Sequence, residues 1–151
     1  MTDKLKEKEE FRYAPIGVFD SGVGGLTVAR EIMRQIPKER IIYFGDTARV
    51  PYGSKSKETI IRFSRQIIRF LQSKGVKAIV IACNTASALA LETVQPEFDI
   101  PILGVVKAGA KEAAKVTKNG KIGVIATEST IESQLYTKEI HSHKPNAQVL
   151  G

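Results

Sequence analysis

Ala78-Ile79-Val80-Ile81-Ala82-Cys83-Asn84-Thr85-Ala86-Ser87 is the stretch on which the fold turns. Its apolar first half reads as a strand buried on both faces, and the small residues after Asn84 read as the opening of a helix. In a parallel sheet such a strand delivers its last residue to the carboxyl edge, where α/β proteins bind ligands. A helix starting there offers free N–H groups that favour a thiolate, and Cys83 stands at the junction. Asp20-Ser21-Gly22-Val23-Gly24-Gly25 follows the strand-like Ile16-Gly17-Val18-Phe19 in the same way. A carboxylate and a lone thiol are therefore expected at one cleft.

Outward from this stretch, short apolar runs alternate with helical patterns. Strands are expected at Ile16 to Phe19, Ile41 to Phe44, Ala78 to Ala82, Ile102 to Val106 and Ile122 to Ala126. Helices are expected near Leu26 to Gln35, Lys57 to Lys74, Ala86 to Val94, Lys107 to Thr117 and Thr130 to His141. The alternation predicts an α/β fold, a parallel sheet flanked by helices. In the second helix Ile60, Ile61, Ser64, Ile67, Ile68 and Leu71 share one face, and Gly75 supplies a stop. Arg62, Arg65 and Arg69 share another face, expected to be an ordinary solvated surface rather than a nucleic-acid site. Ile16-Gly17-Val18-Phe19-Asp20-Ser21 is echoed by Ile122-Gly123-Val124-Ile125-Ala126-Thr127. Two facing βα halves would bring Ser21 and Thr127 to one cleft, although βα units often look alike. A boundary is expected near 104–108, dividing a charged extension (1–14), a first α/β domain (15–106) and the start of a second (107–151). Val149-Leu150-Gly151 reads as the opening of another strand.

With 42% hydrophobic and 26% charged residues, the 151-residue chain has globular composition and length for a genuine core. No apolar stretch reaches membrane-spanning length, because Lys77 and Asn84 interrupt the best candidate. Residues 2–12 mix acidic and basic side chains without the apolar segment of a signal peptide, so a cytoplasmic location is expected. One cysteine excludes an intramolecular disulfide and a multi-cysteine zinc site. The net charge of +7 falls outside residues 2–12, where four basic and four acidic side chains cancel. Such a surplus attracts nucleic acid, acidic membranes and small dicarboxylates alike.

The Asp20 to Gly25 loop lets backbone approach a ligand closely, but it is neither common phosphate motif. Thr27 stands where a dinucleotide fingerprint needs its third glycine, and no Gly-Lys-Ser/Thr follows. Asp20 would repel phosphate and accept hydrogen bonds from an ammonium group. Cys83 alone is open to two readings, a packed small hydrophobe or a reactive thiol. Asn84 and Thr85 after a buried strand point to a ligand, with Thr85 as a helix cap the alternative. Tyr52, between Pro51 and Gly53, is open to being a cleft lid or a surface aromatic. Ser129 with Glu132 fits a capping box, while Thr127 and Thr130 are candidates for the cleft. His141 and His143 do not share a helix face and are expected to be surface residues, so no metal site is expected.

Together, Asp20-Ser21-Gly22-Val23-Gly24-Gly25, Pro51-Tyr52-Gly53, Cys83-Asn84-Thr85 and the Thr127 to Thr130 segment resemble the glutamate racemases of the aspartate/glutamate racemase family, in order from about Pro15 onward. The resemblance implies a cofactor-independent enzyme that interconverts L- and D-glutamate and supplies D-glutamate for peptidoglycan. It implies that Cys83 is the base on one face of the substrate α-carbon. Asp20 and Ser21 would engage the ammonium end and support the thiol. Tyr52, Gly53, Asn84 and Thr85 would hold carboxylates, and Thr127 or Thr130 would close the far side. Family members often pair as dimers, whereas neither nucleic acid nor membrane is implied as a partner.

The family takes its opposite acid from a later Cys-Thr-His motif, and no cysteine follows Cys83. The chain is thus expected to be an N-terminal portion of a two-domain racemase, with the second domain and C-terminal return incomplete, and not to complete racemisation alone. A racemase of another acidic amino acid such as aspartate, or a non-catalytic ligand- or nucleic-acid-binding module, are the alternatives.

Overall fold

The computed structural model describes residues 11–151, so most of the charged 1–14 extension lies outside the described residues. The first part runs β1 (Ile16–Asp20), α1 (Leu26–Gln35), β2 (Ile41–Gly45), α2 (Lys57–Ser73), β3 (Ala78–Ile81), α3 (Asn84–Leu89), α4 (Leu91–Val94), a 3-10 turn (Gln95–Glu97) and β4 (Ile102–Gly104). All neighbours in this four-stranded sheet are parallel, in the order β2-β1-β3-β4. The second part runs α5 (Val105–Val116), β5 (Lys121–Gly123), α6 (Glu128–Glu132), α7 (Leu135–His143) and β6 (Gln148–Leu150), with β5 and β6 pairing in parallel. This is the expected α/β arrangement of parallel strands flanked by helices.

The apolar period of α2 explains the first sheet's cover. Ile60, Ser64, Ile67, Ile68 and Leu71 are buried on one face against Phe19, Ile79 and Ile81, while Ile61 is half-buried. Each large aliphatic side chain removed from water in this way contributes about 1.5–3 kcal/mol. Ser56 starts the helix by accepting a hydrogen bond from Thr59 N at 3.3 Å, and Gly75, at φ +71°, ends it. Of the basic stripe, Arg65 forms a two-pronged ion pair with Glu97 at 2.6 and 2.7 Å, and Arg62 lies over the Phe63 ring at 5.4 Å.

Four boundaries differ from the expectations, each for a local reason. The helix expected over Ala86 to Val94 breaks at Ala90 (φ −112°) into α3 and α4. Val105 and Val106, β-branched and therefore strand-like, open α5 instead, because Gly104 is extended and Val105 N turns to donate to Ser87 Oγ at 3.2 Å. The fifth strand stops at Gly123; Val124 N still bonds Leu150 O at 2.7 Å, but Ile125 is fully exposed. The helix expected over Thr130 to His141 is two helices, separated at Gln134, whose left-handed backbone (φ 54°) no helix interior tolerates. No helix among the described residues is long and apolar enough to cross a membrane.

Strand order places the site. The chain leaves β1 toward β2 on one side, and β3 lies on β1's other side, so the crossover direction reverses between β1 and β3. Loops after the two strands diverge at such a point and leave a crevice at the carboxyl edge. At this edge Phe19 pairs with Ile81; Asp20 follows Phe19 directly, and Cys83 stands two residues after Ile81.

Candidate active site

Cys83 is the residue before α3, with 5% of its surface exposed. Its Sγ accepts a hydrogen bond from Ala86 N at 3.5 Å, the capping interaction usually made by Ser, Thr or Asp. The cap is therefore Cys83, which removes the reading of Thr85 as the cap. Across the crevice Sγ lies 3.5 Å from Ser21 Oγ, joining two strand ends 62 residues apart.

Asp20 is buried and organises its own loop. One carboxylate oxygen, Oδ2, accepts from Gly22 N at 3.0 Å and Gly25 N at 3.1 Å. Gly25 is required there, since a Cβ would come within 2.6 Å of Asp20 Cβ and 2.8 Å of Ala82 Cβ. Tyr43 braces the turn from β2 by donating to Gly22 O at 3.0 Å. Its phenol is pushed up to about 12, first by burial, then by the charges of Asp20 and Cys83.

The crevice opens into a cleft of about 600 Å³, lined by Asp20, Ser21, Gly24, Cys83, Asn84, Thr85 and Tyr136 among others. Tyr52, Gly53, Thr127 and Thr130 are not among the residues that line this cleft. Thr85, Thr127 and Thr130 form a triangle of hydroxyls at 3.0, 2.9 and 3.4 Å, which ties the turn before α6 to α3. Gly53 fits against Thr127 so tightly that a Cβ would lie 2.7 Å from Thr127 Cγ2. Ser129 Oγ donates to Gly53 O at 3.1 Å from inside α6, and Thr127 is the residue before that helix, so the capping-box reading of Ser129 and Glu132 does not hold.

Tyr52 is neither a lid nor a surface aromatic. It is 2% exposed, in the same apolar cluster as Cys83, and its hydroxyl donates to Asp46 in a very short hydrogen bond. Burial, then this bond, drives its phenol far above the usual tyrosine range. Asp46 is buried as well and paired with Arg49 Nε at 2.7 Å, whose guanidinium covers the Phe63 ring at 4.2 Å. Sequence reading missed Asp46 as a buried partner, although an acid followed three residues later by Arg in a turn was the available signal. It also missed Tyr136, which reaches the cleft from α7 and donates to Asn84 Oδ1 at 2.7 Å. Nothing local distinguishes Tyr136 from any tyrosine on a helix. His143 is exposed, and His141 is half-buried with Nε2 2.9 Å from Ala147 O.

A carboxylate and a thiol at one strand-order switch point, beside small polar groups, suit an anionic and cationic small molecule held over the sulfur. Residues 16–151 match the family described as Asp/Glu/Hydantoin racemase. The glutamate racemase of Geobacter metallireducens is 55% identical over 135 residues, 89% of this chain and 50% of that protein. The crystal structure of glutamate racemase isoform RacE1 from Bacillus anthracis superposes with a TM-score of 0.88 at 50% identity, over 91% of this chain and 52% of that one. The Francisella tularensis glutamate racemase, solved in complex with D-glutamate, gives a TM-score of 0.82 at 48% identity, over 91% and 52%. The chain thus spans about half the length of the relatives it matches.

Proposed function

We propose a reaction for this site from the premise that the chain belongs to the Asp/Glu/Hydantoin racemase family, which it matches over residues 16–151. The site removes and returns the α-hydrogen of glutamate by thiol acid/base chemistry, without a cofactor. The observation that carries this reading is Cys83 Sγ at the crevice floor, 3.5 Å from Ser21 Oγ and bordering the same cleft as Asp20.

The α-hydrogen of an amino acid is a very weak acid, so its base must be held against the α-carbon and the developing charge must meet fixed donors. A Cys83 thiolate takes the proton; the C–H electron pair passes to the α-carbon and spreads into the α-carboxylate. Asp20 Oδ2 is committed to its loop, which leaves Oδ1 for the substrate ammonium group, beside the Ser21 hydroxyl. Asn84 and Thr85 hold a carboxylate. The Tyr52 hydroxyl is committed to Asp46, so Tyr52 and Gly53 contribute through their backbone. Thr127 and Thr130 close the far side through the threonine triangle.

A proton returned by the same thiol restores the starting enantiomer, and inversion needs an acid on the opposite face. Cys83 is the sole cysteine in the 151 residues, so these residues support exchange rather than inversion. Supply of D-glutamate to peptidoglycan, a cytoplasmic location and pairing as a homodimer belong to the same proposal. The test is to incubate the 151-residue chain with each enantiomer of glutamate in deuterated water. One enantiomer should lose its α-proton NMR signal while chiral chromatography finds it uninverted, and aspartate should exchange more slowly. A folded sample that exchanges neither enantiomer contradicts the reading.

A further inference from the structure

Tyr136 is the feature of the cleft that the proposed chemistry leaves unused. It sits one residue into α7 and passes beside Gly109 of α5, where a Cβ would lie 3.4 Å from its hydroxyl. The packing of α5 on α7 around buried Ala110 and Ile140 fixes its direction. Its hydroxyl then reaches 52 residues back along the chain to Asn84 Oδ1, at 2.7 Å. Burial raises the phenol's pKa above the usual tyrosine value, which keeps it protonated and able to donate.

A primary amide has one acceptor end and one end with two donors, and the two project in opposite directions. With Oδ1 taken by Tyr136, the Nδ2 end is the one left for a ligand; among the described residues no protein acceptor takes its hydrogens. A carboxylate only accepts, so it binds the Nδ2 end and is repelled by Oδ1. We propose that Tyr136 is a positioning residue that selects the amide orientation of Asn84, so that its N–H donors face the substrate carboxylate in the Cys83 cleft. The inference rests on the proposed substrate-binding role of Asn84. It adds that specificity for a carboxylate at this corner is set from α7, outside the sheet that carries Cys83.

The test measures D- and L-glutamate binding to the 151-residue chain by NMR, reading the Asn84 side-chain amide in nitrogen-15 spectra, with α-hydrogen exchange followed in parallel. Tyr136→Phe keeps the ring and removes the donor. It should weaken binding roughly fivefold to tenfold, the scale of one lost hydrogen bond. The loss should fall on the apparent KM for exchange far more than on kcat, with the melting temperature little moved. In an Asn84→Ala background the same change should cost less than about twofold, because Tyr136 acts through Asn84. Unchanged binding in Tyr136→Phe, or an equal loss in both backgrounds, overturns the inference. A chain that binds glutamate but does not exchange it sinks the proton-transfer reading alone, and the binding data still decide the role of Tyr136. A chain that binds no glutamate overturns both.

Discussion

The turn after β1 and the turn after β5 look alike in sequence and are held in opposite ways. Ile16-Gly17-Val18-Phe19-Asp20-Ser21 leads into a loop that closes on itself, with Asp20 Oδ2 holding Gly22 N and Gly25 N. Ile122-Gly123-Val124-Ile125-Ala126-Thr127 leads into a turn whose hydroxyl contact runs to Thr85, on the far side of the cleft. Ile125 between them is fully exposed, whereas its counterpart Phe19 is fully buried. The half of the site that carries the thiol is therefore pre-organised by its own sheet. The other half is positioned by what it touches across the cleft, through the threonine triangle, Gly53 and Tyr136.

Substitutions can break that contrast, beginning with the self-closed turn. Gly25→Ala forces a Cβ to within 2.6 Å of Asp20 Cβ, and urea unfolding should find a loss of about 3 kcal/mol. A loss below about 1 kcal/mol would mean that this turn yields to the added methyl and is not held rigidly by its own contacts. Asp20→Ala strips two buried N–H groups of their acceptor and should cost about 1–3 kcal/mol. Asp20→Asn keeps an acceptor and should restore most of that stability while still losing proton exchange, which separates the loop-holding role of the carboxylate from its charge.

Tyr43→Phe removes the brace on Gly22 and should cost about 1 kcal/mol at neutral pH. The pH dependence follows from its raised folded pKa. The stabilisation is complete below the unfolded tyrosine value near 10 and is lost as pH climbs toward about 12, so the variant should flatten the alkaline fall in stability. The smallest effect is expected at the other turn, where Thr127→Val should change stability by only about 0.5 kcal/mol, because Thr127 is an exposed residue whose hydroxyl contacts with Thr85 and Thr130 are only part-buried. A larger loss there than in Tyr43→Phe would reverse the contrast between the two turns.

The first sheet was legible because its strands are continuous β-branched runs and α2 carries an unbroken apolar period with a cap and a glycine stop. Asp20, Ser21, Cys83, Asn84 and Thr85 were legible as a group because strand-end residues of a parallel sheet share one edge whatever their side chains do. Tyr52 was misread because burial depends on Asp46 and Phe63, partners that local polarity hides. The breaks at Ala90 and Gln134 carry no glycine or proline to announce them. Val105 and Val106 obey tertiary contacts with Ser87 over their own strand preference. Tyr136 gained its place from the docking of α7 on α5, a long-range contact with no local pattern.

The most direct measurement is α-hydrogen exchange of glutamate in deuterated water by the 151-residue chain and by Cys83→Ala, each checked for its fold by circular dichroism. The account predicts exchange of one enantiomer by the unaltered chain and none above the uncatalysed rate by Cys83→Ala. Exchange that survives in Cys83→Ala would contradict it and assign the base to another group in the cleft.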